Sequence, residues 1–186
     1  WAAPAQEMFS AVNNGNRAAV KRLLAQDKTL VYIQDRQGMT PFLIAVQNGD
    51  LDMTVLLADA FSRLDVDAPA GNAMHLAVLN EDAAMLRVLL QLCDEEDPEL
   101  AVFMLNMRRH GGGPKSPTND GNTPLHLAAL KCHRPMYQFL VANGARPDVR
   151  NNKGKTPAQL LKACPPEPKQ SAPAPKAASP AKAAPA

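Results

Sequence analysis

The chain has 186 residues, room for one domain and a tail, with 20 Lys+Arg against 18 Asp+Glu and 4% aromatic residues. Residues 1–164 hold 17 basic and 17 acidic residues, so the body is neutral and the formal +2 resides in the last 22, where Lys169, Lys176 and Lys182 face Glu167. A neutral body argues against electrostatic capture of nucleic acid or an anionic membrane. No apolar run approaches the ~18–20 residues that span a bilayer, and three cysteines without a C-x-x-C argue against a disulfide-framed secreted domain.

Residues 1–6, "WAAPAQ", form an N-terminal segment. Ala3-Pro4-Ala5 before Gln6 fits the small-x-small end of a cleaved secretory signal, which would place the protein in a bacterial periplasm or outside the cell; otherwise it is cytoplasmic. "AVNNGNRAAVKRLL" (11–24) then reads as helix, Gly turn, helix, and it parallels "AVQNGDLDMTVLL" (45–57). The second unit runs from Asp35 to Ala60 and opens its first helix with Thr40-Pro41: Thr accepts from a free helical N–H, and Pro at the first helical position loses no needed donor. Gly49 ends that helix. The third unit, "NAMHLAVLNEDAAMLRVLL" (72–90), starts on Asn72-Ala73 instead of Thr-Pro, which predicts a less rigid start. Its second helix carries the apolar stripe Met85, Leu86, Val88, Leu89 and Leu90.

About 18 residues are then inserted, within 94–117, because His75 and His126 hold the same place in consecutive units yet lie 51 positions apart. "DEEDPELAVFMLNMRRH" reads as an extra helix with Asp97 as cap, Pro98 and Glu99 in the first turn, and Arg108 and Arg109 at its end, stopped by Gly111-Gly112-Gly113. Leu100, Phe103, Met104 and Met107 form its stripe, expected to pack on the rest. The fourth unit, Asn119–Ala145, again opens on Thr-Pro at Thr123-Pro124. The fifth repeats that pair at Thr156-Pro157, 33 residues on, and has one helix before Pro165-Pro166 stop it. Residues 165–186, with 7 Pro and 8 Ala, read as an extended linker tail.

Five similar segments at one period signal a solenoid. Their shared pattern, "GNTPLHLAA" at 121–129 with "NGA" at 143–145, resembles the ankyrin repeat family over residues 7–164. The resemblance implies an all-α helical solenoid of helix-turn-helix units joined by short hairpin-like turns, with the first and last units as caps. No unit of this size closes a core alone; each must stack on the next. At the helix-ending Gly position the third unit carries Glu81 and the fourth Cys132, and Phe61 replaces the Gly after a second helix.

The resemblance implies a non-catalytic protein–protein interaction module, binding another protein as a monomer through turn tips and a concave helix face, with no cofactor, metal, nucleic acid or membrane insertion. The expected contacts at the tips are Asp35, Arg36, Gln37, Asp67, Asn119, Asp120, Asn151, Asn152 and Lys153. Gln47, Asn80 and Lys131 join them from the helices. His75 and His126 are expected to be structural, ordering the turns by ring hydrogen bonds to neighbouring backbone. Two other classes stay open: a structural spacer or scaffold anchored through the tail, and an anion-binding or hydrolytic site at 110–116. Against the latter, a phosphate loop needs a preceding strand, Pro114 removes a backbone donor, and no G-x-S-x-G accompanies the "HGGG". His110, Cys132 and His133 lack metal-chelating spacing. Cys132 and Cys164 occupy nearly equivalent positions in neighbouring units, so a stack spacing of about 10 Å would hold them beyond the ~7 Å Cα limit for a disulfide, unless the last segment departs from the stack.

Overall fold

The computed structural model describes residues 3–60, 63–111 and 116–166. The expectations for Trp1 and Ala2, Phe61, most of "HGGGPKS" and residues 167–186 of the tail lie outside the described residues. Among the described residues ten helices form, most of them in short pairs: α1 (Ala3–Asn13) with α2 (Arg17–Gln26), α3 (Pro41–Gln47) with α4 (Leu51–Asp59), α5 (Ala73–Leu79) with α6 (Ala83–Glu96), α8 (Pro124–Leu130) with α9 (Arg134–Ala142), and the single α10 (Pro157–Lys162). The inserted α7 (Pro98–Asn106) follows α6. A 3-10 turn, Lys28–Tyr32, links α2 to the second unit. α1 begins inside the segment expected to precede the repeats, and Ala5 is already buried.

The first helices α1, α3, α5, α8 and α10 stack in that order, and each of the first four packs on the second helix of its own unit. Small residues permit the approach: Ala45, Ala77, Ala128 and Ala129 are wholly buried, among Leu43, Met53, Met74, Met85 and Leu125. Every first helix after α1 opens on a side-chain cap. Thr40, Thr123 and Thr156 accept from the N–H two positions beyond their prolines.

Asn72 is not the looser start its sequence suggested. Its Oδ1 accepts from the N–H of Met74 and His75, while its Nδ2 donates to the Met104 carbonyl at 2.9 Å. One fully buried side chain thus caps α5 and ties the end of α7 to it. Ahead of it, Asp67–Ala68 (β1) and Gly71–Asn72 (β2) form a two-residue antiparallel ladder within the turn.

The short turn inside each unit has one backbone shape. Gly15 and Gly49 have φ of 65° and 71° there, and Glu81 and Cys132 adopt 57° and 56°. The stack imposes this left-handed conformation on both non-glycine residues, at a cost of roughly 1–2 kcal/mol each.

The inserted helix forms, but its inward face is rotated about one position from the expected stripe. Ala101, Met104 and Leu105 are buried, Leu100 is partly buried, and Phe103 remains 57% exposed. The extended Asp97, φ −157° and ψ 118°, sets the entry angle, and the small Ala101 lets α7 lie close on α6. Arg108 and Arg109 are not in its last turn either. The helix stops at Asn106 because Met107 turns extended, and Arg109 exchanges backbone bonds with the next tip, N–H to Asn122 O at 3.0 Å and O from Gly121 N–H at 3.1 Å. Asn106 finishes the docking by donating to Gly144 O and accepting from Arg146 N–H.

Cys132 and Cys164 form a disulfide, with Cα atoms 5.6 Å apart. The spacing argument failed because α10 ends differently from α8. The Lys131 N–H keeps its helical bond to Leu127 O, whereas Cys164 N–H reaches only three residues back, to Leu161 O. This tighter last turn draws Cys164 out of the stacking register toward Cys132.

Candidate functional site

The turn tips between units form one edge of the stack, and internal hydrogen bonds fix their shape. Asp35 Oδ1 accepts from the N–H of Gln37 and Met39 at 2.8 and 2.9 Å, closing the first tip and leaving Arg36 and Gln37 exposed. Asp120 does the same for its tip, accepting from Asn122 and from the Arg109 guanidinium. Burial would raise the Asp120 carboxyl, but the bonds from Arg109 and Asn122 outweigh it and hold the group below the usual carboxylate range. Asn151 is buried. Its Oδ1 accepts from Lys153 and Lys155 N–H, and its Nδ2 donates to Asn122 Oδ1 at 2.8 Å. Asp67 is half-buried, 3.2 Å from His110 Nε2. Burial pushes its carboxyl up, opposed by that imidazole.

Asp35, Asp120 and Asn151 are therefore engaged in shaping the tips, whereas Asp67 meets His110 through Oδ2 and its Oδ1 is buried without a hydrogen-bond partner. Asn119 is half-buried, and its carbonyl accepts from Asn152 Nδ2 at 3.1 Å. Arg36, Gln37, Asn152 and Lys153 are exposed. Asn152 links tips: its N–H donates to Asp120 O at 2.9 Å, and its Oδ1 accepts from Arg108.

At the C-terminal ends of the first helices, Gln47 is the last residue of α3 and Asn80 and Lys131 are the C-caps of α5 and α8, all three exposed. Asn80 donates to Gln47 O at 2.7 Å, and Lys131 reaches Glu81 at 2.8 Å. Each thus contacts the unit before it. Sequence reasoning had picked their exposure but not these bridges, nor Glu81 as a partner. A groove of about 480 Å³ lies between α1, α3 and the first tip, lined by Gln6, Phe9, Asn13, Asp35, Arg36, Gln37 and Ile44. A larger one, about 600 Å³, lies away from the tips between α2 and α4, lined by Leu24, Val55 and Leu56 with Lys21, Lys28, Asp52 and Asp59 at its sides. It contains none of the expected contacts.

His75 and His126 bridge consecutive units. Each Nδ1 accepts its own cap's N–H, from Asn72 at 3.2 Å and from Thr123 at 3.1 Å. Each Nε2 donates onward, to Asn122 O and to Lys155 O, both at 3.0 Å. With Nδ1 accepting, both rings are neutral. Burial pushes His75 down to about 4 and lowers His126 in the same direction. These rings are fully committed to backbone and face no groove.

Around "HGGG", the segment before Gly111 is irregular, held to the next tip by the two backbone bonds of Arg109, and Ser116 Oγ bonds Thr118 Oγ1 at 2.9 Å. Among the described residues, no group of three or more His, Cys, Asp or Glu comes together to hold a metal, and no helix is long and apolar enough to cross a membrane.

Comparison with known proteins agrees with this architecture. Two family profiles match, one described as ankyrin repeats (3 copies) over residues 8–100 and one described as ankyrin repeats (many copies) over residues 109–161. The gap between the two matches, residues 101–108, lies within the insertion. The chain is similar to a transient receptor potential cation channel subfamily A member 1 homologue of Caenorhabditis elegans, 31% identical over 75% of this chain and 10% of that protein. It is also similar to the transcription factor MBP1 of Kluyveromyces lactis, 33% identical over 52% of this chain and 12% of that one, and to mouse Rabankyrin-5, 24% identical over 73% and 10%. The chain spans about a tenth of the length of these relatives. With stacked helix pairs, Thr-Pro caps, bridging histidines and matching profiles over both halves, the chain belongs to the ankyrin repeat family.

Proposed function

We propose that this chain is a non-catalytic binding module that holds a partner protein along its tips and the row of first helices. Ankyrin repeats generally mediate protein–protein interaction, and domains of this kind are generally not enzymes. The observation that carries the finer reading is the division of labour at the edge. Asp35, Asp120 and Asn151 fix the backbone of the tips, Arg36, Gln37, Gln47 and Lys153 are left exposed, and Asn80, Lys131 and Asn152 are exposed while bonding across units. A surface already rigid before binding loses little ordering entropy on contact. Phe9 and Ile44 add an apolar floor beside Arg36. The module acts as a monomer.

Photo-crosslinking separates this edge from the larger groove. A benzophenone side chain at Gln37 or Lys153 is expected to capture the same partner, while one at Val55 captures none. Capture through Val55 with silence at both tips would move the binding face to α2 and α4 and overturn the reading.

A further inference from the structure

The last unit is half a unit. α10 packs on α8 with Pro157 buried and Leu160 and Leu161 partly buried, and among the described residues no second helix follows it before Pro165 and Pro166. Terminal repeats are where a solenoid frays, because they have one neighbour instead of two. What holds this end is the packing of the partly buried Leu160 and Leu161 against the core, polar bonds that include Asn152 N–H to Asp120 O and His126 to Lys155 O, and the Cys132–Cys164 disulfide. Two observations mark the bond as more than incidental. Cys132 shares with Glu81 the left-handed turn position held by Gly15 and Gly49 in the first two units, where a side chain is costly, and unlike Glu81 it makes a covalent bond from there. The bond also lies at the surface, with Cys132 exposed and Cys164 half-buried, within reach of a small reductant.

We propose that Cys132–Cys164 is a redox-operated staple for the C-terminal end of the binding edge. Oxidised, it holds α10 and the tip at 150–155 on the stack; reduced by a dithiol, it releases them while the preceding units stay folded. A thiolate of the dithiol attacks one sulfur and expels the other cysteine as a thiolate, which takes up a proton. The reductant's second thiol then resolves the mixed disulfide. Two electrons and two protons pass to Cys132 and Cys164, and the dithiol becomes a disulfide. Cys93 takes no part: it is buried in α6 against Met104, and burial pushes its thiol up to about 12. The consequence for binding rests on the edge reading above, since Asn152 and Lys153 ride on the released segment. The release itself does not depend on it.

The test is hydrogen exchange on the full chain with and without dithiothreitol, with alkylation of the folded protein in parallel. Exchange over 151–164 should accelerate on the order of 100-fold on reduction, following the loop-closure entropy of such a bond. Exchange in α3 and α5 should be unchanged, and alkylated thiols should rise from none to two. The double variant Cys132→Gly, Cys164→Ser lacks both the bond and the strained side chain, and it should show the same acceleration without reductant. Two thiols reacting before reduction, unchanged exchange over 151–164, or loss of protection throughout the chain would each overturn the proposal. Cross-links lost at Gln37 while 151–164 responds as expected would count against the edge reading alone.

Discussion

Replacing Asn72 by Thr would make the third unit look more like its neighbours, yet it should destabilise the protein. Thr fits the backbone, because Asn72 has φ −81° and ψ −179°, close to Thr40 at −84° and 162°. The cap on α5 therefore survives. What disappears is the 2.9 Å bond from Nδ2 to the Met104 carbonyl, at the C-terminal end of α7. That carbonyl lies beyond the reach of a shorter hydroxyl and in a site with no access to water, since Asn72 is wholly buried. Stranding a buried acceptor costs about 1–3 kcal/mol. Asn72→Ala loses the cap as well, worth a further ~1 kcal/mol. For a domain of this size, about 2 kcal/mol lowers the melting temperature by roughly 4–8 °C. Urea denaturation of the wild type, Asn72→Thr and Asn72→Ala at constant pH gives the ranking. Asn72→Thr should fall between the other two, with exchange accelerated first in α7. If Asn72→Thr equals or exceeds the wild type, Asn72 is merely a poorer Thr and the insertion is held by something else.

Acid should weaken the stack well above the carboxylate range. His75 is held down to about 4 in the folded chain against 6.5 when unfolded, so its neutral form contributes stability that is complete above pH 6.5 and lost as pH falls toward 4. The shift corresponds to about 3 kcal/mol. Urea midpoints should drop across that window, the His75 ring should titrate near its lower end by NMR, and a ring titrating near 6.5 would refute the burial argument. Along the inserted helix, Met104→Ala should cost about 2–5 kcal/mol by chemical denaturation and Phe103→Ser less than about 0.5; the reverse order would restore the stripe read from sequence.

The repeat was legible because its signals are local. Thr40, Thr123 and Thr156 sit directly before proline, and the helix period follows each one. The histidines were legible through the same register. What escaped notice depends on contacts between units. Asn72 looks like a weakened cap until its other amide group finds Met104, 32 residues away. The α7 stripe was misread by one position because its entry angle is set by a single extended residue, Asp97, and four apolar side chains at helical spacing fit two adjacent faces nearly as well. Arg109 looked like a helix-end charge because its Asp120 partner lies across an intervening loop. The disulfide was discounted by assuming that the last half-unit keeps the pitch of the rest, and one tightened turn was enough to undo that. At the tips, polar side chains were picked for their type, but sequence cannot separate those spent on holding the loop, such as Asn151, from those left outward, such as Lys153.

The stacking of α5 directly on α8, although the chain between them is lengthened by an entire helix, has a consequence for how such arrays acquire new parts. The seam between two neighbours senses only the faces that meet, not the route the polypeptide takes to bring them together. Extra material can therefore accumulate at a junction, provided it re-enters at the tip as Arg109 does and carries its own anchor as Asn106 does. A rod made this way can gain an ornament on its flank without altering its length or the run of its gripping edge.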